Sequence, residues 1–272
     1  MKKIPVTVIV PVKNEEKNLS KCLSLLDDFS EVIVVDSHST DHTPDIVKGF
    51  GFKCIDFSWN GQYPKKRNWV LENIPLENEW VLFLDADEYI TDLFKEDLIK
   101  SIDTSNFNGL WVYYVNYFMG KQLRYGVKMR KLALFKKDKG KYEWIEEKSW
   151  SHLDMEIHEH PIVEGNIGAI KSPIIHMDYN GLEYYISKHN AYSTWEAKRY
   201  LNLTGLKKEF TWRQRIKYSL LDTWFYWIIY FLYSYFFCLG FLDGKTGLLF
   251  NLFKMQYFFQ VKCKILELRG KY

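Results

Sequence analysis

Cysteine is scarce in this chain, with four residues among 272. The four are widely separated, and no two of them form a CxxC pair: Cys22, Cys54, Cys238 and Cys263. This spacing gives no support to a zinc site or to a dithiol redox motif. Scattered single cysteines are typical of a reducing compartment, where thiols stay free.

An excess of charge of one sign is also lacking, and so is a long apolar leader. The formal net charge is +3, which is too small to indicate nucleic acid as a partner. The N-terminal apolar run is interrupted by Pro5 and Pro11 and stops at Lys13. This pattern favours a buried β-strand over a signal peptide, so we expect the bulk of the chain in the cytoplasm.

Hydrophobic side chains are plentiful, at 47% of the residues, which is enough for a substantial core. The first hundred residues alternate apolar runs with amphipathic segments. The predicted strands lie at 6–10, 32–35, 52–57 and 80–84. Asn14 is predicted to cap the first helix, and Thr43 with Pro44 to open the second. Strands that are buried on both faces and separated by helices predict a parallel α/β sheet.

The pattern changes along the rest of the chain. From residue 109 it becomes β-rich, and the stretch 141–180 is irregular. Long loops of this kind in an enzyme are often functional. From residue 182 the sequence is predicted to be helical to its end. We therefore predict a catalytic domain over 1–180 and a helical, membrane-associating region over 181–272.

Acidic residues directly follow two of the predicted strands. Asp36 ends the second, and Asp85-Ala86-Asp87 follows the fourth. Ligands of open α/β sheets bind beyond the carboxyl ends of the strands. Paired carboxylates at that place can hold Mg²⁺ or Mn²⁺, which would stabilise the charge on a departing nucleoside diphosphate. The alternative is that these are loop acids that cap helices.

Three motifs carry a resemblance to a known family. They read VIVPVKNE from Val8 to Glu15, VVDSHSTD from Val34 to Asp41, and LDADE from Leu84 to Glu88. Together they resemble the family 2 inverting glycosyltransferases, which implies a GT-A fold, the Rossmann-like fold of transferases that use nucleotide-diphospho-sugars. One departure is His38, which stands where the family usually has glycine. This residue must therefore tolerate the backbone angles of the turn.

Three further features resemble the lipopolysaccharide core β-1,4-glucosyltransferase group of that family. They are Arg67-Asn68 before a helix, Ile157-His158-Glu159, and the run GFLDG at 240–244. The resemblance extends over nearly the whole chain. It implies transfer of a hexose, with glucose as the first candidate, from a UDP-sugar to a membrane-associated glycan such as the lipopolysaccharide inner core.

The resemblance also assigns roles to residues. It implies contacts to the nucleotide from Pro11, Asn14, Glu15 and Asp36. Asp85 and Asp87 would hold the metal and the diphosphate. Lys66 or Arg67 could contact a phosphate, because a guanidinium matches phosphate geometry. The alternative for Arg67 is a solvated helix start.

Inversion in a single displacement needs one base to take the proton of the acceptor hydroxyl. Two carboxylate clusters compete for this role, Asp154 with Glu156 and Glu159 alone. The family's H-E motif falls on Glu159, with His158 to orient it or the acceptor. The rival interpretation is a structural salt bridge. His176 closes an apolar run, so it could reach the metal as a further ligand.

An aromatic-rich stretch lies near the C-terminus. The twenty residues 223–242 are uncharged, and eleven of them are aromatic. Twenty residues can just span a bilayer, but Trp and Tyr prefer its interface. Basic residues flank the stretch on both sides, which favours a segment lying on the membrane over a single crossing. We expect peripheral attachment to the cytoplasmic face of the inner membrane; a buried core helix or a dimer seam is the alternative.

Other functions remain open from sequence alone. A nucleotidyltransferase also uses paired aspartates, but it usually begins with a glycine-rich phosphate loop, and here PVKNEE occupies that place. A non-enzymatic membrane scaffold is the second alternative. For the transferase, a lipid-linked acceptor such as a polyprenyl-linked sugar follows the inner core as a candidate, and a peptide comes third.

Overall fold

The computed structural model of the chain describes residues 3–104, 106–145, 160–203 and 212–270. By contacts between residues, the chain divides into two compact units. The first consists of Met1–Tyr117 with Lys128–Tyr179, and the second of Phe118–Val127 with Asn180–Tyr272. The second unit thus includes Phe118–Val127, which the sequence-based division places in the catalytic domain 1–180.

The first unit is a mixed β-sheet with helices. Four helices belong to it: α1 Glu16–Leu23, α2 Thr43–Phe50, α3 Lys66–Asn73 and α4 Asp92–Thr104. The described residues form these strands, in order: β1 Ile4–Val12, β2 Phe29–Asp36, β3 Lys53–Asp56, β4 Trp80–Phe83, β5 Glu88–Tyr89, β6 Gly109–Phe118, β7 Lys121–Leu123, β8 Arg130–Lys136, β9 Gly140–Tyr142, β10 Pro161–Val163, β11 Ile167–Ala169 and β12 Ile174–His176. The main sheet has the order β3-β2-β1-β4-β8-β6-β12-β5.

The first four strands of this sheet form its parallel half, as predicted. Strands β3, β2, β1 and β4 pair in parallel, whereas β8 is antiparallel to β4 and to β6. Every residue of β1 except Pro5 is buried. Its side chains alternate between two cores, with Val8 facing α1 and α2 and Ile9 facing α3. Burial of each such side chain contributes roughly 1.5–3 kcal/mol to stability. The parallel half of the sheet ends at β8, which is antiparallel to β4.

Two helix starts differ from the predictions. Helix α1 begins at Glu16 and its N-cap residue is Glu15, so the assignment of Asn14 as its cap is wrong; the Glu16 N–H donates instead to Asp41 Oδ2 at 3.2 Å. Asn14 Oδ1 instead accepts a hydrogen bond from the Thr40 N–H at 2.8 Å. Thr43 is the first residue of α2 rather than its cap, and its hydroxyl accepts from the Glu15 N–H at 2.9 Å. The loops after β1 and β2 thus satisfy each other's backbone.

From residue 182 on, the described part of the second unit is helical, as predicted. Its helices are α5 Leu182–Leu201, α6 Trp212–Leu220, α7 Tyr226–Leu232 and α8 Gly244–Leu268. Between α7 and α8 lie a π-turn, Tyr233–Phe237, and a 3₁₀ turn, Gly240–Asp243. Helix α8 packs against α5 and α7, and Ala197, Val261 and Ile265 are buried in the resulting core.

Two glycines allow the close backbone approach at the bend between α7 and α8. A Cβ on Gly247 would come within 2.2 Å of the Gly240 carbonyl oxygen, and one on Gly240 within 2.9 Å of the Ser234 carbonyl oxygen. Only glycine allows backbones to approach this closely. In the described ranges no single helix is long and apolar enough to cross a bilayer, but the pair Tyr226–Phe237 and Gly240–Leu268, bent by 73°, meets length and composition criteria together.

Candidate active site

The predicted acidic residues meet at one edge of the sheet. Strand β1 lies between β2 and β4, and all three are parallel, so their carboxyl ends lead to the same edge. Pro11 lies near the end of β1, Asp36 ends β2, and Asp85 follows β4 after one residue. This is the edge at which an open α/β sheet binds its ligands.

Asp36 shapes the loop that follows β2. Its two carboxylate oxygens accept from the Ser39 N–H at 3.2 and 3.0 Å, and the Ser39 hydroxyl donates to it as well. The Asn14 N–H in turn donates to Ser39 Oγ at 2.8 Å. Asp36 is buried. Asp36 and Asn14, both predicted nucleotide contacts, therefore fix the two loops at this edge to each other.

The turn after Asp36 contains a left-handed residue. His38 has φ of 54°, so the expectation that this residue must tolerate the angles of the turn is confirmed. For residues other than glycine this conformation costs roughly 1–2 kcal/mol. The imidazole Nε2 lies 2.5 Å from the Ser58 hydroxyl, and this hydrogen bond offsets part of the cost.

We expect the variant His38→Val to be less stable than His38→Gly by about 1 kcal/mol. Both substitutions remove the hydrogen bond to Ser58, but only glycine accepts a positive φ without strain. Urea denaturation would compare the midpoints of the two variants at equal m-value. Ser58→Ala measures the imidazole contact separately. Equal midpoints for glycine and valine would contradict the strained conformation.

Asp85 lies between two cations. Arg67 Nη2 donates to Asp85 Oδ1 at 2.8 Å, and Lys131 Nζ donates to Asp85 Oδ2 at 2.9 Å. Arg67 comes from the first turn of α3 and Lys131 from β8. About a third of the Asp85 side chain stays exposed, at 34%. A metal or diphosphate that contacts Asp85 therefore meets these two positive side chains at the same place.

Glu88 is a second carboxylate that pairs with Lys131, and it is buried, with 3% of its surface exposed. Its carboxylate accepts from the Tyr114 hydroxyl at 2.6 Å, from Lys131 Nζ at 3.1 Å and from the Asp85 N–H at 3.0 Å. Burial raises the pKa of Glu88, although Lys131 acts in the opposite direction. Burial alone would lower the pKa of Lys131, but Asp85 and Glu88 outweigh it and raise that pKa. Lys131 therefore stays charged and compensates two carboxylates.

The structure brings Asp87 and His176 together, two residues that the sequence analysis assigned to a metal. Asp87 Oδ2 lies 3.4 Å from His176 Nε2. The two meet because β12 pairs antiparallel with β5, so His176 is opposite Glu88. The other ring nitrogen, Nδ1, is 3.1 Å from Asn116 Oδ1. A donor bond from Nδ1–H to that amide oxygen leaves the lone pair on Nε2, the nitrogen that faces the carboxylate.

This pair fits a divalent cation that arrives with a diphosphate. An oxygen and a nitrogen 3.4 Å apart can both lie about 2.1 Å from one ion. Among the residues that the structure describes, no group of three or more His, Cys, Asp or Glu side chains is arranged to hold a metal. Mg²⁺ in nucleotide sites usually keeps only one or two carboxylates and takes substrate phosphates as further ligands.

Lys66 and Arg67, the first two residues of α3, contact different groups at the edge of the sheet. Arg67 is buried, which excludes the alternative of a solvated helix start. Asn68 fixes this turn, because its side chain donates to the Tyr142 carbonyl at 3.1 Å and accepts from the Tyr142 N–H at 2.9 Å. Lys66 is also buried, and its ammonium donates to the Val12 carbonyl at 3.1 Å. Arg67 thus reaches Asp85, while Lys66 lies beneath the end of β1.

Asn18 links α1 to the segment after β12. Its amide donates to Glu15 Oε2 at 2.8 Å and to Asp178 Oδ1 at 3.0 Å, and its oxygen accepts from the Tyr179 N–H at 2.8 Å. The side chain is fully buried. Glu15, a predicted nucleotide contact, is thereby held at the start of α1. A single polar residue on an amphipathic helix forms no sequence pattern, so the sequence alone does not indicate this role for Asn18.

The predicted catalytic base lies outside the described residues. This holds for Glu159 and His158, and for the competing carboxylates Asp154 and Glu156. Their assignment stays a prediction. Three polar residues at the edge were missed from the sequence, namely Lys131, Tyr114 and Asn116. All three come from strands β6 and β8, whose pairing with β4 and β12 is long-range.

The chain matches the model of a known protein family. The model of the family described as "Glycosyl transferase family 2" matches residues 7–152, which is more than half of the 272 residues. The matched range contains the loops after β1, β2 and β4 and the start of α3. The three motifs quoted above and the Arg67-Asn68 pair therefore all lie inside it.

Individual proteins are similar over different lengths. The lipopolysaccharide core biosynthesis glycosyltransferase LpsC of Rhizobium meliloti (strain 1021) is 27% identical over 264 residues, which cover 90% of this chain and 88% of LpsC. Glycosyltransferase SunS of Bacillus phage SPbeta is 41% identical over 99 residues, 35% of this chain and 23% of SunS. Among solved structures, S. aureus TarS 1-349 aligns with 99% of this chain and 93% of that chain, at 18% identity and a TM-score of 0.47.

Proposed function

The chain belongs to glycosyl transferase family 2 and is a glycosyltransferase, and from this premise we propose that it moves a hexose from a UDP-sugar to a membrane-associated glycan. Glucose is the proposed sugar, and the lipopolysaccharide or lipooligosaccharide inner core is the proposed acceptor. The similarity to LpsC over 90% of the chain supports this acceptor. The observation that carries the proposal is the pair Asp87 and His176, 3.4 Å apart at the ligand-binding edge.

Each residue at the edge has a place in this reaction. A bound Mg²⁺ or Mn²⁺ supplies positive charge against the diphosphate, and Asp87 and His176 would hold it. Arg67 offers a guanidinium that matches phosphate oxygens, and Lys131 keeps Asp85 and Glu88 in place. The loops fixed by Asp36 and Asn14 would receive the nucleoside.

The transfer itself is a single displacement. The acceptor oxygen forms a bond to the anomeric carbon while the bond from that carbon to the UDP oxygen breaks, which inverts the configuration. Glu159 would take the proton of the acceptor hydroxyl, and His158 would orient this carboxylate. A positioned base of this kind contributes about 10²–10⁴-fold to the rate.

The test follows UDP release from the purified protein with UDP-sugars and Mn²⁺, with and without EDTA. Acceptors are a deacylated inner-core oligosaccharide, a polyprenyl-linked sugar and a peptide. We expect release that requires the metal and is fastest with UDP-glucose and the oligosaccharide. Glu159→Gln is expected to bind UDP normally and to lose about 10²–10⁴-fold in transfer. No release with any donor, together with no metal-dependent UDP binding, would refute the proposal.

A further inference from the structure

Large apolar side chains are exposed where the chain bends between α7 and α8. Phe236, Phe237, Phe241 and Leu242 are exposed at this bend, and Trp224 and Phe225 are exposed just before α7. Phe237, in the π-turn, keeps 81% of its surface. The sequence left open whether 223–242 is buried, and the exposure of these side chains contradicts a buried core helix.

A second chain segment joins this region. The Asp243 carboxylate accepts from the backbone N–H groups of Arg124 and Tyr125, each at 3.0 Å. The Gly126 N–H donates to the Cys238 carbonyl at 2.8 Å. These bonds fix the segment Phe118–Val127 beside the bend, where Met119, itself 60% exposed, adds to the apolar surface. We call the exposed residues of 118–127 and 223–252 the tip surface.

The charges of the tip surface are of one sign. Segment 118–127 contains no acid, and Asp243 is the only acid between residues 223 and 266. The backbone N–H groups of Arg124 and Tyr125 donate hydrogen bonds to its carboxylate. Lys121, Arg124 and Lys245 are exposed. The tip surface is therefore apolar, aromatic and positively charged.

We propose that the tip surface binds an anionic lipid bilayer, with its aromatic side chains at the level of the headgroups. Trp, Tyr and Phe beside Lys and Arg are the composition of segments that lie in the membrane interface. Each cation near an anionic leaflet raises the partition coefficient by a factor of about five. The enzyme would then sit peripherally on the cytoplasmic face of the inner membrane.

The same features argue against a second copy of the chain as the occupant. A two-fold interface places the same patch on both partners. It would bring Lys121, Arg124 and Lys245 of one copy close to those of the other, and the one acid in the ranges of the tip surface, Asp243, is already bonded to the backbone N–H groups of Arg124 and Tyr125. An anionic leaflet instead supplies the opposite charge. The turns Tyr233–Phe237 and Gly240–Asp243 lie where the two helical segments meet at 73°, and their exposed aromatic side chains need to enter a bilayer only to headgroup depth.

The experiment measures co-sedimentation of the whole protein with phosphatidylcholine vesicles and with phosphatidylcholine vesicles containing phosphatidylglycerol. Wild type is expected to bind the anionic vesicles more strongly, and less so at high salt. The double variant Phe237→Ser with Phe241→Ser should lower the partition coefficient at least about tenfold. Lys121→Glu with Arg124→Glu should lower it by about thirtyfold or more on anionic vesicles only, because two cations are lost and two anions are added.

Leu93→Ser is the matched control, because Leu93 is 66% exposed in the first unit, and it should bind like wild type. All four substituted positions of the two double variants are exposed, so thermal melting should confirm that both fold. Unchanged binding of both double variants, or wild type that stays in the supernatant, would overturn the proposal. A dimer in sedimentation velocity that Phe237→Ser with Phe241→Ser dissociates, without vesicle binding, would overturn it in favour of a second copy. No donor or acceptor is used, so this result is independent of the proposed transfer.

Discussion

The variant Asp87→Asn is expected to lower kcat for UDP release by about 10³-fold or more. A metal contributes several kcal/mol of charge stabilisation in the transition state, and about 4 kcal/mol corresponds to a factor of about 10³. Asparagine keeps the shape of the side chain but removes the charge that faces His176 Nε2 at 3.4 Å. Steady-state rates over a range of Mn²⁺ concentrations, with calorimetry of UDP binding, would measure the effect.

Two controls separate a metal role from loss of the fold. Asp138→Asn changes an exposed aspartate in the turn between β8 and β9 and should leave both readouts unchanged. Asn116→Ala removes the partner of His176 Nδ1, and loss of such a partner typically weakens metal affinity 10–100-fold. It should therefore raise the Mn²⁺ concentration needed for half-maximal rate. If Asp87→Asn stays folded and keeps the wild-type dependence on Mn²⁺, the assignment of Asp87 to the metal is wrong.

The parallel half of the sheet could be predicted because its signals are local. Continuous apolar runs of strand length mark β1, β2 and β4, and the acids at their carboxyl ends follow directly in sequence. Topology then requires Asp36 and Asp85 to share one edge. The same reasoning located His176 at a strand end, and its pairing opposite Glu88 places it beside Asp87.

The contacts that Lys131 and Tyr114 make at this edge could not be predicted, because they depend on the register between strands distant in sequence. Lys131 meets Asp85 across 46 residues, and Tyr114 meets Glu88 across 26. A shift of one residue in β8 would turn Lys131 to the opposite face of the sheet. Glu88 was part of a recognised motif, but its burial depends on these partners and not on its neighbours in sequence.

The structure of the aromatic stretch 223–242 could not be predicted from sequence for a different reason. Composition alone suits a spanning helix, an interfacial segment or a buried core. The bent geometry depends on a close approach of Gly240 and Gly247, because a Cβ on Gly247 would lie 2.2 Å from the Gly240 carbonyl oxygen. Neither glycine breaks a helix by propensity alone; they act as a pair through a backbone approach that is visible only in three dimensions.

The variant Lys131→Met should destabilise the first unit by about 3–5 kcal/mol. Removing one partner of a buried ion pair leaves the other charge without compensation, and this usually costs such an amount. Here Glu88 would keep its hydrogen bond to Tyr114 but lose its ion pair with Lys131, while the charges of Asp85 and Asp87 would still act on it. Urea unfolding at pH 8 would measure the loss. Lys136→Met on the same strand is the control.

Lys136 pairs with Glu79 at 2.8 Å, but these side chains are 24% and 60% exposed. Exposed pairs contribute about 0–1 kcal/mol, so Lys136→Met should stay within that range and vary little with pH. A loss as large as that of Lys131→Met would show that lysine packing on β8, rather than buried charge, determines stability. Equal small losses for both would contradict the buried ion pair.

The destabilisation by Lys131→Met should shrink as the pH falls. The pKa of Glu88 in the folded protein is already raised by burial, against the effect of Lys131, and loss of that lysine raises it further. A carboxyl with a raised folded pKa gives stability that is present below its unfolded value of about 4.3 and is lost as pH rises through the folded value. The gap to wild type should therefore be smaller near pH 5 than at pH 8.

The double variant Lys131→Met with Glu88→Gln tests the same cause without changing pH. Glutamine carries no charge, so the methionine no longer leaves a buried carboxylate uncompensated. We expect the double variant to be more stable at pH 8 than Lys131→Met alone, with most of the pH dependence gone. Groups in direct contact couple by about 0.5–3 kcal/mol in such cycles. Additive effects of the two substitutions would mean that Lys131 stabilises the sheet edge through Asp85 alone.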